Sequence, residues 1–331
     1  MASPTNGAVR LRPMGLRDIL DESLDLYRSN FGLYTGIAFA GLVPATAVMS
    51  IFMAPAITIL NAAAGTDVSQ LPPTSIAAIS LLFMGAAWTY GLLLLPFITG
   101  AQALASSERY LGRASGVRAA YGPVLRRFFP FLATSILAAL PSALSNVAGT
   151  VIAAILDRAS SGLGPLFVVA SFVAAAWFTV KLSLTPLAFV IEDARYVRCL
   201  RRSWELVTGH FWRTLAVLLA AGILIGIGVV ACLVVAMVVA AVVAAITRNA
   251  GAATSIMFAL AFAAYAVFQP IQMVAMTLLY YDLRIRKEGF DLQMLAAELG
   301  RKVEPEPALP PMGGIDADVQ SPGRWGEPPD T

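Results

Sequence analysis

Residue types that do chemistry are scarce in this chain, and their spacing suits none of the common reactions. There is one histidine, His210, in a stretch rich in arginine and aromatics. A single histidine of this kind reads as structural. Cys199 falls in a basic segment and Cys232 in an apolar run. They are expected at different depths, which argues against a disulfide or a shared metal. Glu192, Asp193 and Asp282 lie at helix exits beside arginines, so they read as ion-pair partners. Paired carboxylates, metal-ligand spacing and a phosphate-cradling glycine loop are not evident. The expectation is therefore no catalytic residue, no metal, no cofactor and no nucleic-acid partner.

One charge is out of place. In AAAWFTVKLSLTPLAFVIED, residues 174–193, Lys181 interrupts an otherwise apolar run. It lies about 15 Å along a helix from Glu192, at a rise of roughly 1.5 Å per residue. A charge at such depth costs several kcal/mol unless it faces inward or is hydrated. Two readings stand side by side. In one, Lys181 belongs to an inward polar patch with Gln269 and Gln272, holding a lipid phosphate or a helix carbonyl freed by Pro186. In the other, it snorkels toward the interface and pins the helix tilt. Arg198, Arg201 and Arg202, with Arg126 and Arg127, form basic clusters. Such clusters either recognise anionic head groups or simply anchor the surface, each residue contributing about 1 kcal/mol.

The elements that position these residues follow from hydropathy. The chain has 331 residues, 58% hydrophobic and 13% charged, with mean hydropathy +0.74. Soluble domains carry roughly a quarter charged residues. Charge-free runs cover 29–66, 68–107, 128–156, 159–180, 214–247 and 249–281. About 20 apolar residues cross the hydrocarbon core as a helix. Six spans follow, near 33–60, 76–102, 130–155, 164–190, 214–246 and 254–280. Lys and Arg number 20 in the terminal segments and alternate connections, against Arg158 and Arg248 in the others. By the positive-inside rule both termini are cytoplasmic, in a bacterial inner membrane.

The strings AAW at 86–88, AAW at 175–177 and AAY at 263–265 recur at near-equal spacing. Each precedes a proline (Pro96, Pro186, Pro270) and then a charged exit bearing tyrosine. Each unit opens on an amphipathic stretch. In the third, Val197, Leu200, Trp204, Val207 and Phe211 make the apolar stripe; in the first, Leu16, Ile19, Leu20, Leu24 and Tyr27 do. The first carries four acids and two arginines over 16–29. It fits anionic lipid poorly and suits docking on protein. The fold class is thus all-α integral membrane, three helical-hairpin repeats each preceded by an interfacial helix. The boundaries are 1–14 for an N-terminal tail and 15–285 for the membrane domain. The repeats fall at about 15–113, 114–196 and 197–286. A short helix is expected over 287–302 and a disordered acidic, proline-rich tail over 303–331. GILIG at 222–226 reads as a helix-packing face.

The strings VKLSLTPLAFVIED, LRRSWELVTGHFWRTL and LLYYDLRIRKEGFDLQML resemble the bacterial membrane-domain family named after glycerophosphoryl diester phosphodiesterases. The resemblance covers about 12–299 and implies a six-helix membrane region that precedes a phosphodiesterase barrel in some members. The catalytic His/Glu set of such a barrel has no counterpart here, so no catalytic residue carries over. The expected function is non-enzymatic: organising or binding lipids, anionic ones included, or partner membrane proteins. The alternatives are translocation of a lipid-like substrate, and a membrane accessory role in phospholipid or glycerophosphodiester metabolism.

Overall fold

The computed structural model describes residues 14–62, 72–158, 162–248 and 250–289. The expected short helix over 287–302 falls almost wholly outside them, and the tail from 303 wholly so. Every element among the described residues is helical. In order these are α1 (Leu16–Ser29), α2 (Phe31–Ala62), α3 (Pro73–Thr89), a π-helical turn (Tyr90–Leu94), α4 (Leu95–Tyr110), α5 (Val117–Arg126), α6 (Phe128–Arg158), α7 (Gly164–Leu182), α8 (Thr185–Glu192), α9 (Val197–Val207), α10 (Phe211–Thr247), α11 (Ala250–Phe268) and α12 (Pro270–Glu288).

Six stretches are long and apolar enough to cross a membrane: Phe31–Ala56, Thr74–Tyr110, Phe128–Arg158, Gly164–Glu192, Phe211–Thr247 and Ala253–Glu288. Their outer faces suit no other solvent. Along α10, Leu219, Ile223, Ile227, Val230, Val234 and Val238 are all more than half exposed. An apolar surface that continuous belongs in lipid. Three of the spans run about a turn or more beyond the charge-free windows, to Tyr110, Glu192 and Glu288. Their charged ends find partners within the protein, Arg109 on the Ser115 carbonyl and the others in the ion-pair clusters described below, so the helix does not stop where the charges start.

Three spans are interrupted, each next to a proline. The π turn precedes Pro96, Ser183–Leu184 precede Pro186, and Gln269 precedes Pro270. Proline offers no N–H and its ring crowds the carbonyl four residues back, so an α-helix yields there. Pro44, Pro55 and Pro141 lie inside helices that continue through them.

The core sits at the arginine-rich end, around α12. Nearly every α12 residue from Pro270 to Leu283 is buried. Against it pack Ile19 of α1, Leu187 of α8, Leu206 and Val207 of α9, and Val217 of α10. α1 buries Ile19, Ser23 and Tyr27, while Leu16 of the expected stripe is exposed. α9 turns Cys199, Ser203, Leu206 and Val207 inward and leaves Val197 and Trp204 outside. Burial pushes the Cys199 thiol up to about 12, which keeps it protonated and inert.

The GILIG string packs inside the chain through Leu224 and Ile225, and its glycines take no part. A Cβ at Gly222 or Gly226 would meet open space. The close approaches are elsewhere. Gly149 of α6 sits on Ser171 and the Phe167 carbonyl of α7, and Gly228 of α10 sits under the Phe268 ring. Small residues matter where backbones meet, and the spacing of glycines does not say where that is.

Candidate functional site

Lys181 lies in the last turn of α7, only 8% exposed. Its ammonium donates to Thr208 Oγ1 at 3.0 Å. It also stands 5.1 Å from the centroid of the Trp204 ring and 5.8 Å from that of Trp177. The two indoles meet edge to face at 5.1 Å. Thr208 is the residue after α9, so Lys181 approaches the C-terminal, negative end of that helix. Lys287 caps the same end, donating to the Glu205 and Thr208 carbonyls at 2.5 Å. A helix dipole and two π faces thus carry the buried cation, with no carboxylate among its hydrogen-bond or ion-pair partners. Both indoles remain more than a third exposed.

The carbonyl freed at Pro186 is not met by Lys181. Thr185 Oγ1 donates to the Leu182 carbonyl at 2.7 Å, and Ser203 Oγ to the Lys181 carbonyl at 2.8 Å. Ser203 Oγ also accepts from Leu184 N at 3.2 Å. The break before Pro270 is served in a related way, by Tyr27 Oη donating to the Val267 carbonyl at 2.5 Å. The expected patch is not joined by hydrogen bonds. Gln269 is buried, with its N–H on Tyr265 and its carbonyl on Gln272 N. The side chain of Lys181 bonds to neither glutamine. The physical reason is that α7 meets α9, whereas the start of α12 meets α1, so equivalent positions face different neighbours.

Two carboxylate-centred clusters close the arginine-rich end. Asp282 is fully buried. It accepts from Met14 N at 2.8 Å, Arg213 at 2.8 Å and Arg286 at 3.0 Å. Both arginines also donate to the Met14 carbonyl, so the start of α1 is clasped to α10 and α12. The second cluster joins Glu192 and Glu288 through Arg202 and Arg284, with Tyr280 Oη donating to Glu192. Hydrogen bonding to Glu288, and then to Glu192, outweighs burial and raises Arg202 further above its ordinary value. Arg202 therefore meets the side chains of α8 and α12. Arg201 pairs with Glu205 at 2.7 Å on the surface, Arg127 pairs with Asp193, and Arg198 and Arg126 are exposed.

His210, just before α10, has its ordinary value of about 6.5 lowered by burial and by Lys287, Arg286 and Arg213. Nδ1 is buried without a partner. The unfolded chain then binds the proton more readily, so stability is full above about 6.5 and falls as pH drops below it. The expected outcome is a thermal midpoint that declines below that pH in the natural protein and declines less in His210→Gln, measured across pH 5 to 8 in detergent.

Sequence reasoning missed Ser203, Thr208 and the cage role of Trp204, because they act across elements. It also missed Gln102 and Tyr34. Gln102 is fully buried with neither amide atom bonded, and the buried Tyr34 hydroxyl has Ser106 beside it. Away from Lys181, a half-open recess of about 560 Å³ lies between α2, the π turn, α4 and α5, lined by apolar side chains and the Tyr121 phenol. Among the described residues no group of three His, Cys, Asp or Glu is placed to hold a metal.

The Pro186 break, the Arg202 cluster and the α12 exit all come from the three strings that carried the sequence resemblance. Residues 155–302 match the family described as the membrane domain of glycerophosphoryl diester phosphodiesterase. The match takes in the end of α6 and all of α7 to α12, somewhat under half of the chain, whereas the resemblance read from sequence ran from about 12. No curated protein and no solved structure matches.

Proposed function

We propose that this multi-pass membrane protein is a non-enzymatic binder of anionic lipid in the cytoplasmic leaflet. The observation that carries the reading is the Lys181 cage. The ammonium has three donors and uses one, on Thr208. Indoles more than a third exposed flank it, and such rings favour the level of lipid head groups. A lipid phosphate beside Trp204 supplies the anion that the protein does not. The asymmetry of 20 Lys/Arg against 2 supports an orientation with both termini and this end cytoplasmic, in a bacterial inner membrane.

We further read the chain as three units around a ring. The three breaks at Pro96, Pro186 and Pro270 support this. So does a recurring contact: α5 packs on α4, α9 on α8 and α1 on α12. Each surface helix thus braces the segment beyond the break of the unit before it, with α1 closing the circle. A translocator of lipid-like substrate is the second reading, favoured by the interrupted spans, since broken helices line transport sites. Organising partner proteins, or serving phospholipid or glycerophosphodiester metabolism as an accessory, is compatible with either.

Lys181→Leu is the test. Purified from membranes containing phosphatidylglycerol, the variant is expected to keep its thermal midpoint within a few degrees and to lose a co-purifying anionic lipid. A large fall in midpoint with unchanged lipid content would make the lysine a structural pin. Loss of lipid flip-flop in proteoliposomes, measured alongside, would favour the translocator.

A further inference from the structure

We infer that the recess between α2, the π turn, α4 and α5 is a second lipid site, taking one acyl chain of an anionic phospholipid whose phosphate rests on Arg126. This rests on the lipid-binding reading above but not on Lys181, which lines no part of the recess.

The wall is hydrocarbon. It is built from Ala40 and Pro44 of α2, Leu93 and Leu94 of the π turn, Phe97 of α4 and Leu125 of α5. Its one polar group, Tyr121 Oη, already donates to the Ile37 carbonyl at 2.8 Å. A hydrophilic solute therefore finds nothing to bond. The volume falls within the roughly 300–1,000 Å³ of small-molecule sites, so the recess is more than a surface dimple.

Its depth fits an acyl chain. Ala40 stands nine residues into α2, about 14 Å from Phe31, and Leu94 stands fifteen before Arg109, about 22 Å away. With α2 and α4 spanning a hydrocarbon core of about 30 Å, each leaflet is about 15 Å deep, so these walls lie around the midplane, the depth at which an acyl chain entering from the arginine side ends. The π turn makes the room. It inserts a residue into the helix register before Pro96 and leaves Leu93 largely exposed. Opposite, α2 cannot close the gap. A Cβ on Gly41 would press within 3 Å of Ile98 and the Tyr121 hydroxyl, so α2 is already in contact with α4 and α5 at this edge of the recess and can come no closer.

Charge selects the head group. Arg126 ends α5 between two lining residues, Leu125 and Phe128. It is exposed and has no carboxylate partner, whereas its neighbour Arg127 is held by Asp193. A phosphate above an inserted chain meets that free guanidinium.

The experiment is native mass spectrometry of the full chain released from nanodiscs of phosphatidylglycerol and phosphatidylethanolamine. Ala40→Trp fills the recess from an exposed position and is expected to retain one phospholipid fewer per chain at an unchanged thermal midpoint. Leu125→Trp, filling it from the other side, should do the same if Ala40→Trp folds poorly. Arg126→Gln is expected to keep the lipid count and lose the preference for phosphatidylglycerol. Filled variants that retain the full count overturn the proposal, as does a dimer that Ala40→Trp dissolves without changing lipid content, which would make the occupant a second copy of the chain. Lys181→Leu separates the sites: if it alone removes all retained lipid, the recess is empty, and if it removes none while Ala40→Trp does, the recess stands and the Lys181 reading fails.

Discussion

Asp282→Ala is expected to destabilise the protein by about 3–5 kcal/mol, the usual cost of removing one partner from a buried charge pair. The carboxylate is fully buried and is met by Arg213, Arg286 and the Met14 N–H. Without it, two guanidinium groups are left facing one another, each still partly buried, and the Met14 N–H loses its acceptor. Asp282→Asn keeps the shape and removes the charge, so it is expected to lose nearly as much. The measurement is thermal unfolding in detergent, with a protease cut before α1 as a local probe. A change under about 1 kcal/mol would mean that water already reaches the cluster and screens it.

Gly149→Leu is expected to cost about 3 kcal/mol, at the upper end of overpacking effects. A Cβ at that position would lie 2.1 Å from Ser171 Cβ and 3.1 Å from the Phe167 carbonyl. Neither atom moves by changing a rotamer, so α6 and α7 must separate. Gly222→Leu is the matched control. Nothing lies within 4 Å of that Cβ, and the leucine would face lipid, so stability is expected to hold. Equal losses in both variants would show that helix propensity or insertion, rather than the α6–α7 contact, sets the cost.

These two glycines show where reading the sequence stops. GILIG looked like a packing face by spacing, yet Gly149, in no such string, carries the close contact. Spacing places residues on one side of a helix, but which helix lies opposite is set by the rest of the chain. Lys181 makes the same point. Its depth followed from counting residues to Glu192. Its partners did not, because Thr208 and Trp204 are 27 and 23 positions away on a helix that docks from the side. Asp282 is further still, bonded to a backbone N–H 268 residues earlier.

The sequence alone determined the properties that each segment has whatever its neighbours are. Six apolar stretches must cross lipid, because no other solvent accepts them. Prolines recur at 96, 186 and 270, and each removes an N–H wherever it stands, but which prolines interrupt a helix was decided by the fold, since α2 and α6 run on through theirs. Tertiary structure decided what depends on pairs: that Ser203 and Tyr27 meet the carbonyls at two of those breaks, that indoles and a helix end carry the Lys181 charge, and that Arg202 joins Glu192 to Glu288. Burying a polar group is tolerated only when it finds a hydrogen-bond partner, and where that partner comes from another element a linear sequence records both groups without recording that they meet.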